Sequence, residues 1–404
     1  MRISKKVVQK IFGSLCLIFI YVFASKLALP FVDVEKSTAI FGRATSGLEL
    51  TTALTGGNLR TMSFISVGLS PWMSAMLLWK IFDLAEKGLL AQKVKEHQER
   101  WQMYLTLLIS IIQSLVISLN LTYVADVHRE AALLLATVVL VAGSFFLIWL
   151  VDLNSIFGVG GSLTIMMVGM LIYMPYDIYN TMVEMKLGWW FLVLLFLVGL
   201  ILLYICICVE RSKYQIPIQK VMINNSFERF SYINIKLNPA GGMPIMYAMT
   251  LVQFPLYVLF LLKTFAPKAA WLDGAIQSMT VGSPVWFFVY IFTISLLSVA
   301  FAYINVDPQA ISKKMQASSE FIDLVYPGKE TSKYIFYILN RLTLVGTIYL
   351  VFLSVLPMSM ILWDIRLMRV SMIPGLFLIF FGMVFTIRDE LEAVSINERY
   401  KKIF

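Results

Sequence analysis

The chain has 404 residues, is 59% hydrophobic and only 14% charged, and carries a formal net charge of +9. Soluble domains average about 25% charged residues, and here the apolar residues fall in tracts of about 20, the length that crosses a bilayer. No soluble domain of useful size fits between the tracts, so the chain reads as an all-α polytopic membrane protein.

The apolar pattern predicts ten spans, near 11–30, 61–82, 103–123, 131–151, 161–178, 187–209, 242–265, 284–304, 335–357 and 371–388. Lys5, Lys6 and Lys10 precede the first run in the manner of a signal peptide. The sequence Phe23-Ala24-Ser25-Lys26 offers no A-x-A cleavage site, so an uncleaved first span is expected. The stretch 51–82 differs from a plain anchor. A polar segment with Gly56 and Gly57 runs into an apolar helix bearing Gly68 and Pro71. Broken backbone at membrane depth is tolerated where it is buried in protein or lines a wet cavity, so this stretch points to a pathway through the membrane.

Lys and Arg counts orient the chain. With the N-terminus inside, the cytoplasmic segments hold 22 of the 33 basic residues, which predicts cytoplasmic N- and C-termini. This asymmetry and anionic lipid account for the positive charge without nucleic acid. Cys16, Cys206 and Cys208 all lie in apolar spans and read as buried, inert thiols. His97 and His128 fall in loops on opposite sides, so no zinc or haem site can be built from them. No phosphate loop or hydrolase motif occurs, and no catalytic, cofactor or metal site is expected. The spans carry almost no charge at mid-depth, which weighs against a small-molecule or lipid exporter, the alternative reading. Two cytoplasmic loops, 211–236 and 307–333, mix basic residues with aromatics and aliphatics and suit the docking of a cytosolic partner that supplies energy.

Several segments resemble one family, the SecY protein-conducting channel. Gly56-Gly57-Asn58-Leu59-Arg60, Ser63-Phe64-Ile65 and Gly68-Leu69-Ser70-Pro71-Trp72 resemble its plug and second helix. Trp149-Leu150-Val151-Asp152 and Gly158-Val159-Gly160-Gly161-Ser162 resemble its WLGE and GIGNGIS motifs. Asn238-Pro239-Ala240-Gly241-Gly242-Met243-Pro244 resembles the start of its seventh span. Asp307-Pro308, Tyr326-Pro327-Gly328-Lys329 and Asn340-Arg341-Leu342-Thr343-Leu344-Val345-Gly346 resemble its eighth loop and ninth span.

The resemblance implies two pseudo-symmetric halves, 1–186 with spans 1–5 and 187–404 with spans 6–10, around a central pore. It implies a plug near 40–57 that includes Leu54, Thr55, Gly56 and Gly57. It implies an apolar pore ring of Leu69, Met73, Leu163, Met167, Met246 and Ile379. The first two pairs are spaced i, i+4 and so share a helix face. A lateral gate is implied at Ser74, Gln113 and Thr250, between spans 2–3 and 7–8. A SecA-type motor ATPase would dock on Lys213, Lys220, Arg229, Lys313, Lys314, Tyr326 and Lys329. A SecE-like clamp helix, other small accessory secretion subunits and an unfolded secretory protein complete the implied partners. The family's arginine before Pro-Gly is Tyr326 here, its WLGE glutamate is Asp152, and its GIGNG asparagine is Gly161. These departures resemble the accessory branch of the family in Gram-positive cocci, which implies export of serine-rich glycoprotein adhesins across the cytoplasmic membrane.

Overall fold

The structure is a computed structural model that describes residues 5–33, 37, 52, 55–57, 59, 61–85, 95–124, 128–184, 188–220, 231–266, 269–362 and 368–401. Twelve α-helices carry the fold among these residues: α1 (Lys5–Ala24), α2 (Ser70–Ala85), α3 (Lys95–Asn120), α4 (Arg129–Phe157), α5 (Gly161–Glu184), α6 (Trp190–Arg211), α7 (Met243–Phe265), α8 (Ala270–Met279), α9 (Pro284–Asn305), α10 (Pro308–Ala317), α11 (Lys329–Met358) and α12 (Met368–Lys401). Short strands β1 (Lys213–Pro217), β2 (Gln219–Lys220), β3 (Tyr232–Lys236) and β4 (Glu320–Phe321) lie in the two long loops. Among the described residues, six helices are long and apolar enough to cross a membrane. Helices α2, α5, α6 and α12 lie on the other four predicted spans. The chain is an all-α, multi-pass membrane protein.

One expectation needs correction. The second span was expected to be helical from residue 61, but α2 begins only at Ser70. Residues 61–69 are irregular instead, with positive φ at Met62 (44°) and Gly68 (69°). The backbone there pairs with the end of the first span: the Leu29 N–H donates to Met62 O (2.7 Å) and the Phe64 N–H to Leu27 O (3.1 Å). A helix would have to satisfy these groups internally. The irregular chain satisfies them against a neighbour, as membrane depth demands.

The chain divides into two compact units. The first comprises 1–183, 249–288 and 383–404, and the second 184–248 and 289–382. In the first unit α2 packs on α3, α3 on α4 and α4 on α1. Glycine sets the closest approaches: a Cβ on Gly143 of α4 would lie 1.8 Å from Phe64 O, and one on Gly13 of α1 2.6 Å from Phe157 O. A buried core joins Leu59, Met62 and Val67 to Val116 and Ile117 of α3 and Leu256 and Tyr257 of α7.

In the second unit the turn after β3 is pinned by polar contacts. Asn238 Nδ2 donates to Gly241 O (3.0 Å) and Glu210 Oε1 (3.2 Å), and Asn305 Nδ2 donates to Pro239 O (3.0 Å). Gly346 of α11 leaves room for Asn238, whose Oδ1 would lie 2.9 Å from a Cβ there. The thiols were expected to be buried. Cys206 is, but Cys16 and Cys208 face outward. The i, i+2 spacing of Cys206 and Cys208 sends them to different helix faces.

Candidate functional site

Residues 55–57 lie against the segment before α2 and against α5, which carry the expected ring residues of the first unit. The Leu69 N–H donates to Thr55 O (2.9 Å), so the first expected ring residue is bonded by its backbone to the expected plug. Gly57 lies on the irregular segment: a Cβ there would meet Ser66 O at 2.4 Å and Gly68 N at 2.6 Å. Gly56 (φ +77°) lies on α5, with Ile165 and Met166 at contact distance from a Cβ position. Gly169, one turn after Ile165, has no side chain to block this approach, and a Cβ there would lie 3.0 Å from Gly56 Cα. Tyr21 of α1 closes the cluster. Its hydroxyl donates to Gly56 O at 2.7 Å, and the residue is 1% exposed. Leu54 and most of 40–57 lie outside the described residues.

Leu69, Met73 and Leu163 are buried and Met167 is half-buried in the first unit, whereas Met246 and Ile379 are buried in the second. Leu163 and Met167 both lie in α5, whereas Leu69 immediately precedes α2 and Met73 lies within its first turn.

The three expected gate residues are all buried in the first unit, Ser74 on α2, Gln113 on α3 and Thr250 on α7. Sequence reasoning missed a fourth, Gln253 on α7. Gln113 precedes Val116 and Ile117 by three and four residues, and Gln253 precedes Leu256 and Tyr257 by the same steps. Those four residues belong to one core, and i, i+3 and i+4 positions share a face. The two glutamines therefore border the same α3–α7 core. Among the described residues, neither glutamine amide has a hydrogen-bond partner, and neither does Ser74 Oγ. An unpaired buried amide is costly in an apolar site, so this seam is held by packing and weakened by its polar groups. The signal for Gln253 was its spacing of three from Thr250 within an apolar run.

In the second unit the two long loops form one body. β1 pairs antiparallel with β3, and β2 pairs with β4 through Gln219 opposite Phe321 and Lys220 opposite Glu320. The second pairing joins loop 211–236 to loop 307–333. Beneath the strands Ile216, Ile218, Ile235, Met315, Ile322 and Ile335 share a core. Asp307 caps α10, its carboxylate accepting from the Gln309 N–H (2.8 Å) and the Ala310 N–H (3.2 Å) with Pro308 in the first turn. This is the side-chain N-cap expected of an aspartate before a helix. Thr331 Oγ1 donates to Tyr326 O (2.9 Å), and Ser312 Oγ to Gly328 O (2.7 Å), which shapes the Tyr326–Gly328 turn. Lys213, Lys313, Lys314, Tyr326 and Lys329 are exposed on this body. Leu324, which sequence reasoning did not select, is fully exposed with φ +60°. The side chain of Lys220 and all of Arg229 lie outside the described residues.

The fold is that of a protein-conducting channel. It superposes on "The structure of a protein conducting channel" with a TM-score of 0.70 at 13% identity, covering 98% of this chain and 94% of that one. It also superposes on "Sec61 in the Canine ribosome-channel complex from the endoplasmic reticulum" with a TM-score of 0.66, again at 13% identity and with the same shares covered. The family model for SecY matches residues 63–386, and the chain belongs to the SecY family. It is 48% identical over 399 residues to the accessory Sec system protein translocase subunit SecY2 of Streptococcus sanguinis (strain SK36), covering 98% of both chains. It is 46% identical over 400 residues to the protein of the same name from Streptococcus gordonii, again covering 98% of both. The chain is a protein-conducting channel subunit of the accessory Sec type.

Proposed function

We propose that this channel passes unfolded secretory proteins, serine-rich glycoprotein adhesins among them, across the bacterial cytoplasmic membrane, driven by a SecA-type ATPase. The observation that carries this reading is the position of 55–57. The segment is bonded to Leu69 and packed on α5, the helix of Leu163 and Met167. A resting plug has to touch the ring it seals, and the contacts of 55–57 with Leu69 and α5 support that reading. Leu69, Met73, Leu163, Met167, Met246 and Ile379 form the ring, in ten spans arranged as two halves with both termini cytoplasmic. A narrow apolar ring excludes ions by dewetting. Its three methionines, unbranched and adaptable, let it stretch around side chains of different size.

The joined loops seat the motor. They expose lysines, Tyr326 and Leu324, and an apolar anchor among polar residues is the kind of feature that concentrates binding energy in protein interfaces. Arg229 and Lys220 complete the set of proposed motor contacts. A SecE-like helix clamps the two halves, and other small accessory subunits complete the translocase. The seam at Ser74, Gln113, Thr250 and Gln253 opens sideways to lipid.

The test is site-specific crosslinking from Met73 and Met167 to a stalled secretory chain in membranes with the matching motor and ATP. Crosslinks at both positions that vanish without ATP are expected. Export without a crosslink at either position would remove these residues from the pathway. Leu324→Asp should abolish motor-dependent export while leaving the protein folded, and full export by this variant would place the motor elsewhere.

A further inference from the structure

The turn 158–161 between α4 and α5 is held by two kinds of bond. The first kind is buried. Ser14 Oγ of α1 donates to Asn154 Oδ1 (2.9 Å) and accepts from the Val159 N–H (2.8 Å). Asn154 Nδ2 donates to Val159 O (3.1 Å) and Gly161 O (2.8 Å), and Thr164 Oγ1 donates to Val159 O (2.6 Å). Asn154 is 1% exposed and Ser14 7%. Breaking this set strands several polar groups away from water, which makes it a permanent fastening.

The second kind comes from α12. The Gly160 N–H donates to Glu390 Oε2 of α12 at 2.8 Å across 230 residues of sequence, and Glu390 is only half-buried. The acceptor is charged and lies at the head of α5, where free backbone N–H groups favour an anion. Arg388 is engaged elsewhere, with Glu392 at 2.6 Å. One turn from Glu390, Ile387 lies over Gly160, where a Cβ would be 2.8 Å from Ile387 Cγ1. The glycine (φ +77°) lets α12 approach without interlocking side chains. When the bond opens the carboxylate regains water, and the Ser14–Asn154 set stays whole.

We propose that Glu390 is a positioning residue. It ties the C-terminal helix to the head of the helix bearing Leu163 and Met167, as the releasable bond in an otherwise fixed four-helix joint. Leu163 and Met167 follow Gly160 by three and seven residues on α5, and Ile379 precedes Glu390 by eleven on α12. Intact, the bond restrains the resting ring; released, it frees α12 to shift against α5 as the pore widens. The inference rests on the channel reading given above.

The test uses the full-length protein in lipid nanodiscs for hydrogen exchange and in proteoliposomes for resting ion leak and motor-driven export. In Glu390→Ala the Gly160 amide should exchange about tenfold faster while the Val159 amide is unchanged. Resting leak should rise about fivefold or more. Glu390→Gln should restore both, because its amide oxygen accepts the same bond. Unchanged Gly160 exchange, an equal rise at Val159, an unchanged leak despite release, or a glutamine variant that behaves like alanine would each overturn the proposal. If the wild-type protein itself fails to export, the channel reading fails instead, and the exchange result still reports on the joint.

Discussion

Tyr21→Phe removes one oxygen atom from the fastening of the proposed plug and leaves the proposed ring residues in place. Tyr21 is 1% exposed, and its hydroxyl donates to Gly56 O at 2.7 Å. Phenylalanine would leave that carbonyl buried without its donor while the plug is seated. A stranded buried acceptor costs about 1–3 kcal/mol. If the carbonyl finds water once the plug moves, the cost falls on the closed state alone. At 1.4 kcal/mol per tenfold, the open population rises by roughly 5- to 150-fold. The assay is ion leak through proteoliposomes without motor or substrate, together with export of a secretory protein whose signal is weakened. Both should increase, with thermal stability lowered by no more than the same few kcal/mol. Gly169→Ala should act in the same direction, because its Cβ would lie 2.8 Å from Tyr21 Oη and 3.0 Å from Gly56 Cα. A Tyr21→Phe protein whose leak stays within about twofold of wild type would refute the reasoning, since even the low end of the range predicts more.

Gly143→Ala should prevent accumulation of folded protein, because its Cβ would lie 1.8 Å from the Phe64 carbonyl and only backbone could move aside; expression and detergent melting check this. Gln253→Leu replaces a buried amide without a partner among the described residues by a side chain of similar size. It should raise the melting temperature by a few degrees, about 1 kcal/mol or more in a protein of this size, and reduce export of weak-signal substrates. Asp307→Ala removes the cap that accepts from the Gln309 and Ala310 N–H groups. It should cost about 1 kcal/mol of local stability, read as faster hydrogen exchange in α10, while resting leak stays at the wild-type level.

The candidate site was legible in the sequence where chain neighbours make it. Gly56, Gly57 and Gly68 stood out as breaks in an apolar run, and they lie where the backbone is irregular. The i, i+4 spacing put Leu163 and Met167 on one helix, whereas Leu69 falls just before the helix that carries Met73. Asp307-Pro308 was read only as part of a loop, although an aspartate before proline is a local helix-start signal. The start of α2 was misplaced because hydropathy does not distinguish a helix from an irregular segment bonded to a neighbour. Tyr21 drew no attention, since a tyrosine in an apolar span looks like packing, and its acceptor lies 35 residues away. Leu324 was overlooked because exposure is not a property of residue type.

Composition and the spacing of apolar tracts determined by themselves that this is a multi-pass helical protein. Hydrocarbon leaves a chain no other way to satisfy its backbone except a closed barrel, and that requirement is written locally, residue by residue. The basic loops and the glycine breaks are local in the same sense. Only the tertiary structure decided which groups meet: Tyr21 with Gly56, Ser14 with Asn154, Glu390 with Gly160, and β2 with β4. The first three pairs are brought together by packing around helices and the last by strand pairing, all across at least 35 residues of sequence, and a hydrogen bond depends on positions to a fraction of an ångström. That geometry comes from the small residues that set how closely helices approach, Gly13, Gly143, Gly160 and Gly169, and their partners are invisible until the chain is folded.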